Sequence, residues 1–181
     1  TTGATVIENL EAKSHGILIW RALLQWLGGV GIIVMALAVL PMLSIGGMQL
    51  FKTESYETPD KVVPKAASFA AGISIVYITL TVIWALMLWG AGMPIFDSIA
   101  HAMTTLATGG YSTKSESLAA FNSSTIEIII IFGMLVGSLP FVHYLALTKN
   151  GIKNLIKDDQ VKLFLTLVLF VVLIMSLYLS F

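Results

Sequence analysis

At 181 residues, with 57% hydrophobic and only 11% charged side chains, this chain is too apolar for a water-soluble domain, in which roughly 25% of residues are charged. The formal net charge of zero supplies no global field for nucleic acid. Cysteine is absent, which excludes disulfides and thiolate metal sites.

The chain opens on Thr1-Thr2-Gly3-Ala4-Thr5, with no initiator Met and no signal sequence, and is expected to be a fragment of a longer protein. Residues 22–51 contain no Asp, Glu, Lys or Arg, and neither do residues 66–95, 128–148 and 163–181. About 20 apolar residues, each rising about 1.5 Å, cross a hydrocarbon core of roughly 30 Å, so each stretch predicts a transmembrane helix. The first contains Gly28, Gly29, Gly31 and Pro41, which predicts close helix contacts and a bend near its inner end.

Residues 94–108 differ. Asp97, Ser98, His101, Thr104 and Thr105 interrupt the segment, which is too short and too polar to span. Asp97 is expected as the N-cap of a short helix over 98–106, its carboxylate facing the positive helix end. A helix re-entering from the outer face would point its partly negative C-terminal end toward the membrane centre, where it favours a cation. Periodicity alone leaves two readings open: a pore helix followed by a filter, or an amphipathic interfacial helix with a glycine turn.

The stretch Thr104-Thr105-Leu106-Ala107-Thr108-Gly109-Gly110-Tyr111-Ser112-Thr113 is hydroxyl-rich yet lies between long apolar segments. Irregular backbone persists at membrane depth only where protein or a water-filled cavity satisfies its polar groups. Its carbonyls can replace the water shell of a permeating cation. Residues 1–5 are a shorter echo of it, so a pore built from internal repeats is expected.

Charges between the helices set the orientation. Lys52, Lys61 and Lys65 fall in one loop and Lys149, Lys153, Lys157 and Lys162 in another; Lys13, Lys114 and the interfacial Arg21 lie on the other side. Lysine concentrates in cytoplasmic loops, so both Lys-rich loops are expected inside and both Thr-Gly segments outside. The spacing from Gly3 to Trp20 equals that from Gly110 to Glu127, and each leads into a glycine-bearing helix (Gly28 and Gly29; Gly133 and Gly137). The repeat unit is therefore helix, pore helix, filter, helix.

Three motifs carry a family resemblance: Trp20-Arg21-Ala22-Leu23-Leu24-Gln25-Trp26-Leu27-Gly28-Gly29-Val30-Gly31-Ile32-Ile33-Val34, then Gly46-Gly47-Met48-Gln49-Leu50, then Ala107-Thr108-Gly109-Gly110-Tyr111-Ser112-Thr113. Together they resemble the TrkH branch of the TrkH/TrkG/KtrB potassium-transporter family over essentially the whole chain. The resemblance implies an all-α polytopic membrane protein with four helix–pore helix–helix repeats, each giving one filter strand. Residues 1–51 would hold the end of the first filter, an outer loop and the first inner helix. Residues 52–65 and 149–162 would be cytoplasmic loops, 66–148 the second repeat, and 163–181 the start of the third repeat's outer helix. The third repeat's intramembrane gating loop and the fourth repeat would lie outside the chain. Thr1, Thr2, Gly3 and Ala4 would line the first filter strand, and Thr108, Gly109, Gly110 and Tyr111 the second, with Tyr111 standing where Phe is commoner. The resemblance further implies K⁺ as the transported ion without a cofactor, the bacterial inner membrane, a homodimer and a cytosolic nucleotide-binding gating-ring subunit.

Other residues have duller readings. Gly3 and Gly110 are alternatively expected only to permit positive φ in turns. The hydroxyls of Thr2 and Thr108 line the pore or cap the pore helix. Glu127 is expected at the outer interface, bonding the loop behind the filter, because a buried carboxylate is costly unless paired. Arg21 is expected to be structural, His101 to pack or hydrogen-bond, and His143 to give no ligand pattern. Met42, Met48, Met87, Met93, Met103, Met134 and Met175 are scattered as core filling would be. Trp20, Trp26, Trp84 and Trp89 suit interfacial belts or packing equally.

No catalytic set and no phosphate-binding loop appears, so an enzyme is not expected. The cluster Gly28-Gly29-Val30-Gly31 follows no strand and reads as helix packing, not dinucleotide binding. The expected function is potassium uptake through a pore with backbone-carbonyl filter strands. The alternative is a non-conducting membrane sensor or assembly subunit with the same fold.

Overall fold

The structure is a computed structural model that describes residues 1, 3–43, 62–141, 143–144 and 158–179, with side chains described outside 32–43 and 62–69. The described residues form helices and turns without a strand. Five helices are α1 (His15–Leu43), α2 (Val62–Gly90), α3 (Ile95–Leu106), α4 (Ser124–Ser138) and α5 (Asp159–Leu179). Short 3-10 turns lie at Leu10–Ala12 and Ser117–Phe121.

Several boundaries depart from expectation. Helix α1 starts at His15, where the Ser14 carbonyl accepts from Ile17 and Leu18 N–H, and it continues through Pro41. Helix α2 starts at Val62 and takes in Lys65; Pro64 falls in its first turn, where proline costs no helical hydrogen bond. It ends in a Schellman motif: Met93 N–H bonds Leu88 O, Gly92 N–H bonds Trp89 O, and Gly92 has φ +96°. Helix α3 begins at Ile95 with Pro94 at the N-cap position, so Asp97 is inside the first turn and is not the cap. Ser98 anchors that turn instead, its hydroxyl donating to the carbonyls of Met93 and Pro94.

Helix α4 stops at Ser138, short of the single span expected over 128–148. Pro140 is the cause: it has no N–H to donate, and it pushes the residue before it out of helical conformation. Helix α5 begins at Asp159, with Lys162 inside it; the Asp158 carboxylate accepts from Gln160 and Val161 N–H. Among the described residues, two helices are long and apolar enough to cross a membrane: Ala70–Gly90 and Asp159–Leu179. Residues 44–61 and 145–157, which hold most of the expected cytoplasmic lysines, lie outside the described residues.

The chain divides into two compact units, Thr1–Ser138 and Leu139–Phe181. In the first, α3 is the hub and touches α1, α2 and α4. From Asp97 to Leu106 every residue but Ile99 is buried. The long apolar helices show the opposite: 28% of the α2 window and 6% of the α5 window are buried. Within the first unit, a buried polar helix beside a mostly exposed apolar one inverts the soluble pattern, as expected where lipid is the solvent. In the second unit, His143 Nε2 lies 3.4 Å from the Asp158 carboxylate, and Phe141 and Tyr144 pack ring against ring at 5.6 Å.

Glycines set the approach of α3 to its neighbours. A Cβ on Gly137 would stand 2.8 Å from Leu106 O, and one on Gly29 would stand 3.2 Å from the Ala107 Cα. The C-terminal end of α3 is thus gripped between two glycines of flanking helices. Trp84 donates its indole N–H to Ile129 O and Trp26 donates to Thr81, so these two tryptophans pack, whereas Trp20 and Trp89 are exposed.

Candidate functional site

Helix α3 ends in a second Schellman motif, which Thr108 closes. Gly109 N–H bonds Thr104 O at 2.8 Å and Thr108 N–H bonds Thr105 O at 3.0 Å. Thr108 therefore takes the left-handed position, φ +53°, that glycine normally fills. A β-branched residue is strained there by roughly 1–3 kcal/mol, and such strain concentrates at functional sites. Gly110 also lies at positive φ, +81°.

The two Thr-Gly segments meet. A Cβ on Gly3 would stand 2.6 Å from Gly109 O, so only glycine allows this approach. Tyr111 donates its hydroxyl to Ala4 O at 3.1 Å. Thr1 lies against Gly28 of α1, and Thr2 lies outside the described residues. Of the expected site residues, Gly3, Ala4, Gly109 and Tyr111 are thus in direct contact across the two segments.

Side chains of α3 hold the second segment from behind. Thr104 donates to Tyr111 O at 2.9 Å. His101 Nε2 is 3.1 Å from the Ser112 hydroxyl, with Nδ1 2.8 Å from Asp97 O, so His101 hydrogen-bonds as expected. Asp97 accepts from Thr113 Oγ1 at 2.6 Å, with Lys114 Nζ 3.9 Å from its other oxygen. The carboxylate expected at the helix cap therefore ties down the chain leaving the Thr-Gly segment. Glu127 is exposed in the first turn of α4, and among the described residues its carboxylate makes no hydrogen bond to the loop where one was expected.

Helix α1 holds the same segment from the other side. Gln25, buried, donates through Nε2 to Gly109 O at 2.8 Å and accepts through Oε1 from Tyr111 N–H at 3.1 Å. One turn earlier, buried Arg21 donates to Thr5 Oγ1 at 2.8 Å, and its guanidinium sits 4.2 Å above the Tyr111 ring. Farther out, Glu11 accepts from Ser115 Oγ at 2.6 Å and from Ser115 N–H at 2.7 Å. The Ser115 hydroxyl and then its N–H hold the Glu11 carboxyl at about 2, below its ordinary 4.5.

Two hollows flank the second segment. One, of about 260 Å³, is lined by His101, Thr104, Thr108, Gly110 and Met134 among others. The other, of about 440 Å³, lies among the outer loops by Thr5, Glu8, Asn9 and Lys114. Gly110 and Ser112 line both. Among the described residues no group of three or more His, Cys, Asp or Glu is placed to hold a metal ion.

Gln25 is the residue that sequence reasoning passed over, seeing it only as part of a motif. Its signal was present: it is the only Asn, Gln, Ser, Thr or charged side chain in residues 22–43, and polar groups at membrane depth mark functional contacts.

An all-helical fold with apolar helices outside, and a short buried helix handing over to paired Thr-Gly segments, defines a polytopic membrane protein. The chain belongs to the TrkH family of cation transport proteins, whose description matches residues 1–181. It is 41% identical to the Trk system potassium uptake protein TrkH of Salmonella typhimurium, over 100% of this chain and 38% of that protein. It is 39% identical to the Trk system potassium uptake protein TrkI of Halomonas elongata, over 98% of this chain and 36% of that one. The crystal structure of the potassium transporter TrkH from Vibrio parahaemolyticus superposes with a TM-score of 0.77 at 36% identity, covering 94% of this chain and 34% of that one. The chain thus spans little more than a third of the length of these relatives.

Proposed function

We propose that this chain supplies two filter strands, residues 1–4 and 108–111, to a potassium uptake pore in the bacterial inner membrane. The observation that carries the proposal is the meeting of the two Thr-Gly segments at the buried end of α3, with Gly110 lining the hollows on either side. Among the described residues the carbonyls of Thr108 and Gly110 accept no hydrogen bond, which leaves them open to a dehydrated cation. Gly109 and Tyr111 hold the strand through Gln25 and Thr104. The names of the relatives point to K⁺ as the ion. The family resemblance supports a homodimer and a cytosolic nucleotide-binding partner.

Gly110→Ser tests the reading in the full-length protein. A side chain at φ +81° strains the backbone and moves the carbonyls. The expected result in liposomes is reduced discrimination of K⁺ over Na⁺. Unchanged relative uptake removes Gly110 from the filter. Absence of any K⁺ or Rb⁺ flux from intact wild-type protein favours the sensor or assembly alternative.

A further inference from the structure

We infer that Gln25 is a positioning residue for ion selection: its carboxamide, reaching from α1 of one repeat, fixes the filter strand of the next. The inference rests on the filter reading of residues 108–111. Gln25 straddles Gly110, donating to Gly109 O at 2.8 Å and accepting from Tyr111 N–H at 3.1 Å. This is the pairing a neighbouring backbone strand would give, supplied here by a side chain 84 residues away in the chain. A donor and an acceptor are both needed at that reach. Leucine offers neither, an ionised carboxylate offers two acceptors, and asparagine is one methylene short. The fit is close, since a Cβ on Gly109 would stand 2.3 Å from the Gln25 carboxamide. The glycine at 109 and the glutamine at 25 are therefore one steric and hydrogen-bonding unit. Gln25 also turns Gly109 O toward α1 and holds it beside Gly3 of the first strand. The amide thus acts on the spacing between strands of two repeats, beside the bond from the Tyr111 hydroxyl to Ala4 O.

The test measures relative K⁺ and Na⁺ flux of the full-length protein in liposomes, for wild type, Gln25→Leu, Gln25→Glu and Gly110→Ser. Loss of the hydrogen bonds to Gly109 O and Tyr111 N–H is expected to lower K⁺ over Na⁺ discrimination in Gln25→Leu by about tenfold. Gln25→Glu adds a readout that simple packing does not move. Its carboxyl, when protonated, presents one donor and one acceptor and so imitates the amide. Discrimination is therefore expected to be poor at alkaline pH and to recover on acidification, relative to wild type at each pH. Arg21, one turn earlier on α1 and over the Tyr111 ring, favours the ionised carboxylate, whereas the burial of position 25 favours the protonated one. If Leu at 25 prevents assembly, the isosteric Glu variant carries the test alone. Selectivity lost in Gly110→Ser but unchanged in both Gln25 variants overturns this inference and leaves the filter reading standing. Selectivity unchanged in all three overturns the filter reading and this inference with it.

Discussion

Three glycines in the paired segments serve three different purposes, and this decides what each substitution does. Gly110 needs positive φ, Gly109 makes room for the Gln25 amide, and Gly3 admits the Gly109 carbonyl. Gly3 and Gly110 were legible in the sequence because they recur in equivalent Thr-Gly settings. The purpose of Gly109 was not, because it depends on a helix far away in the chain. Asp97 shows the same limit: an acidic residue ahead of a short apolar run signals a cap, yet its true partner, Thr113, is set by how the chain returns along α3. Glu11 gives a residue-scale prediction. Its two bonds to Ser115 hold its carboxyl at about 2, below its ordinary 4.5. A depressed folded value means that the clamp stabilises the folded loop fully above about 4.5 and is lost progressively as pH falls from there through about 2. A carbon-13 titration of the Glu11 carboxyl is expected to show a midpoint near 2, rising part of the way toward 4.5 in Ser115→Ala, which removes the hydroxyl but keeps the backbone N–H. A midpoint near 4.5 in the unaltered protein removes the clamp.

At the scale of elements, long uncharged stretches announced helices well, and their ends poorly. Composition locates an apolar run, but ends are decided by local chemistry: Pro64 let α2 start early, Pro140 stopped α4, and Ser98 rather than Asp97 anchored the first turn of α3. The glycines of α1 were expected to give close packing, and the structure sorts them and those of α4. Gly29 and Gly137 meet the end of α3, Gly133 meets Trp84 and Thr105, and Gly31 meets nothing within 4 Å among the described residues. A paired prediction follows from that contrast. Gly31→Ala is expected to raise stability by about 1 kcal/mol, because alanine is the better helix former. Gly137→Ala makes the same gain but drives a methyl to 2.8 Å from a backbone oxygen that cannot rotate away. Overpacking of this kind costs about 1–3 kcal/mol. Thermal unfolding of the full-length protein in detergent is expected to move up for Gly31→Ala and down for Gly137→Ala. Equal shifts in both would mean that α4 does not hold the end of α3.

For the molecule as a whole, the decisive quantity is how much of a pore one stretch of chain can build. This chain covers 38% of the Salmonella relative and holds two Thr-Gly segments, against the four strands that the family resemblance implies. Two strands cannot encircle an ion. On the proposed filter reading, the Thr108 and Gly110 carbonyls, which accept no hydrogen bond among the described residues, would face lipid or loosely held water, and an unpaired backbone group in hydrocarbon costs on the order of several kcal/mol. Secondary structure does not share that weakness. Helices α2 and α5 close their own backbone hydrogen bonds and match the bilayer in length, and their exposed faces are apolar. The buried helix α3 has its own neighbours, α1, α2 and α4, all within the first unit. The 181 residues expressed alone and reconstituted into liposomes are therefore expected to show high helix content by circular dichroism and no K⁺-selective flux. Amide exchange is expected to be slow in the buried helix α3 and faster at Gly110 and Ser112 than at Thr108, Gly109 and Tyr111, whose N–H groups are hydrogen-bonded. A robust K⁺-selective current from these residues alone would mean that two strands per chain suffice, through association of copies, and would overturn the requirement for four strands from one polypeptide.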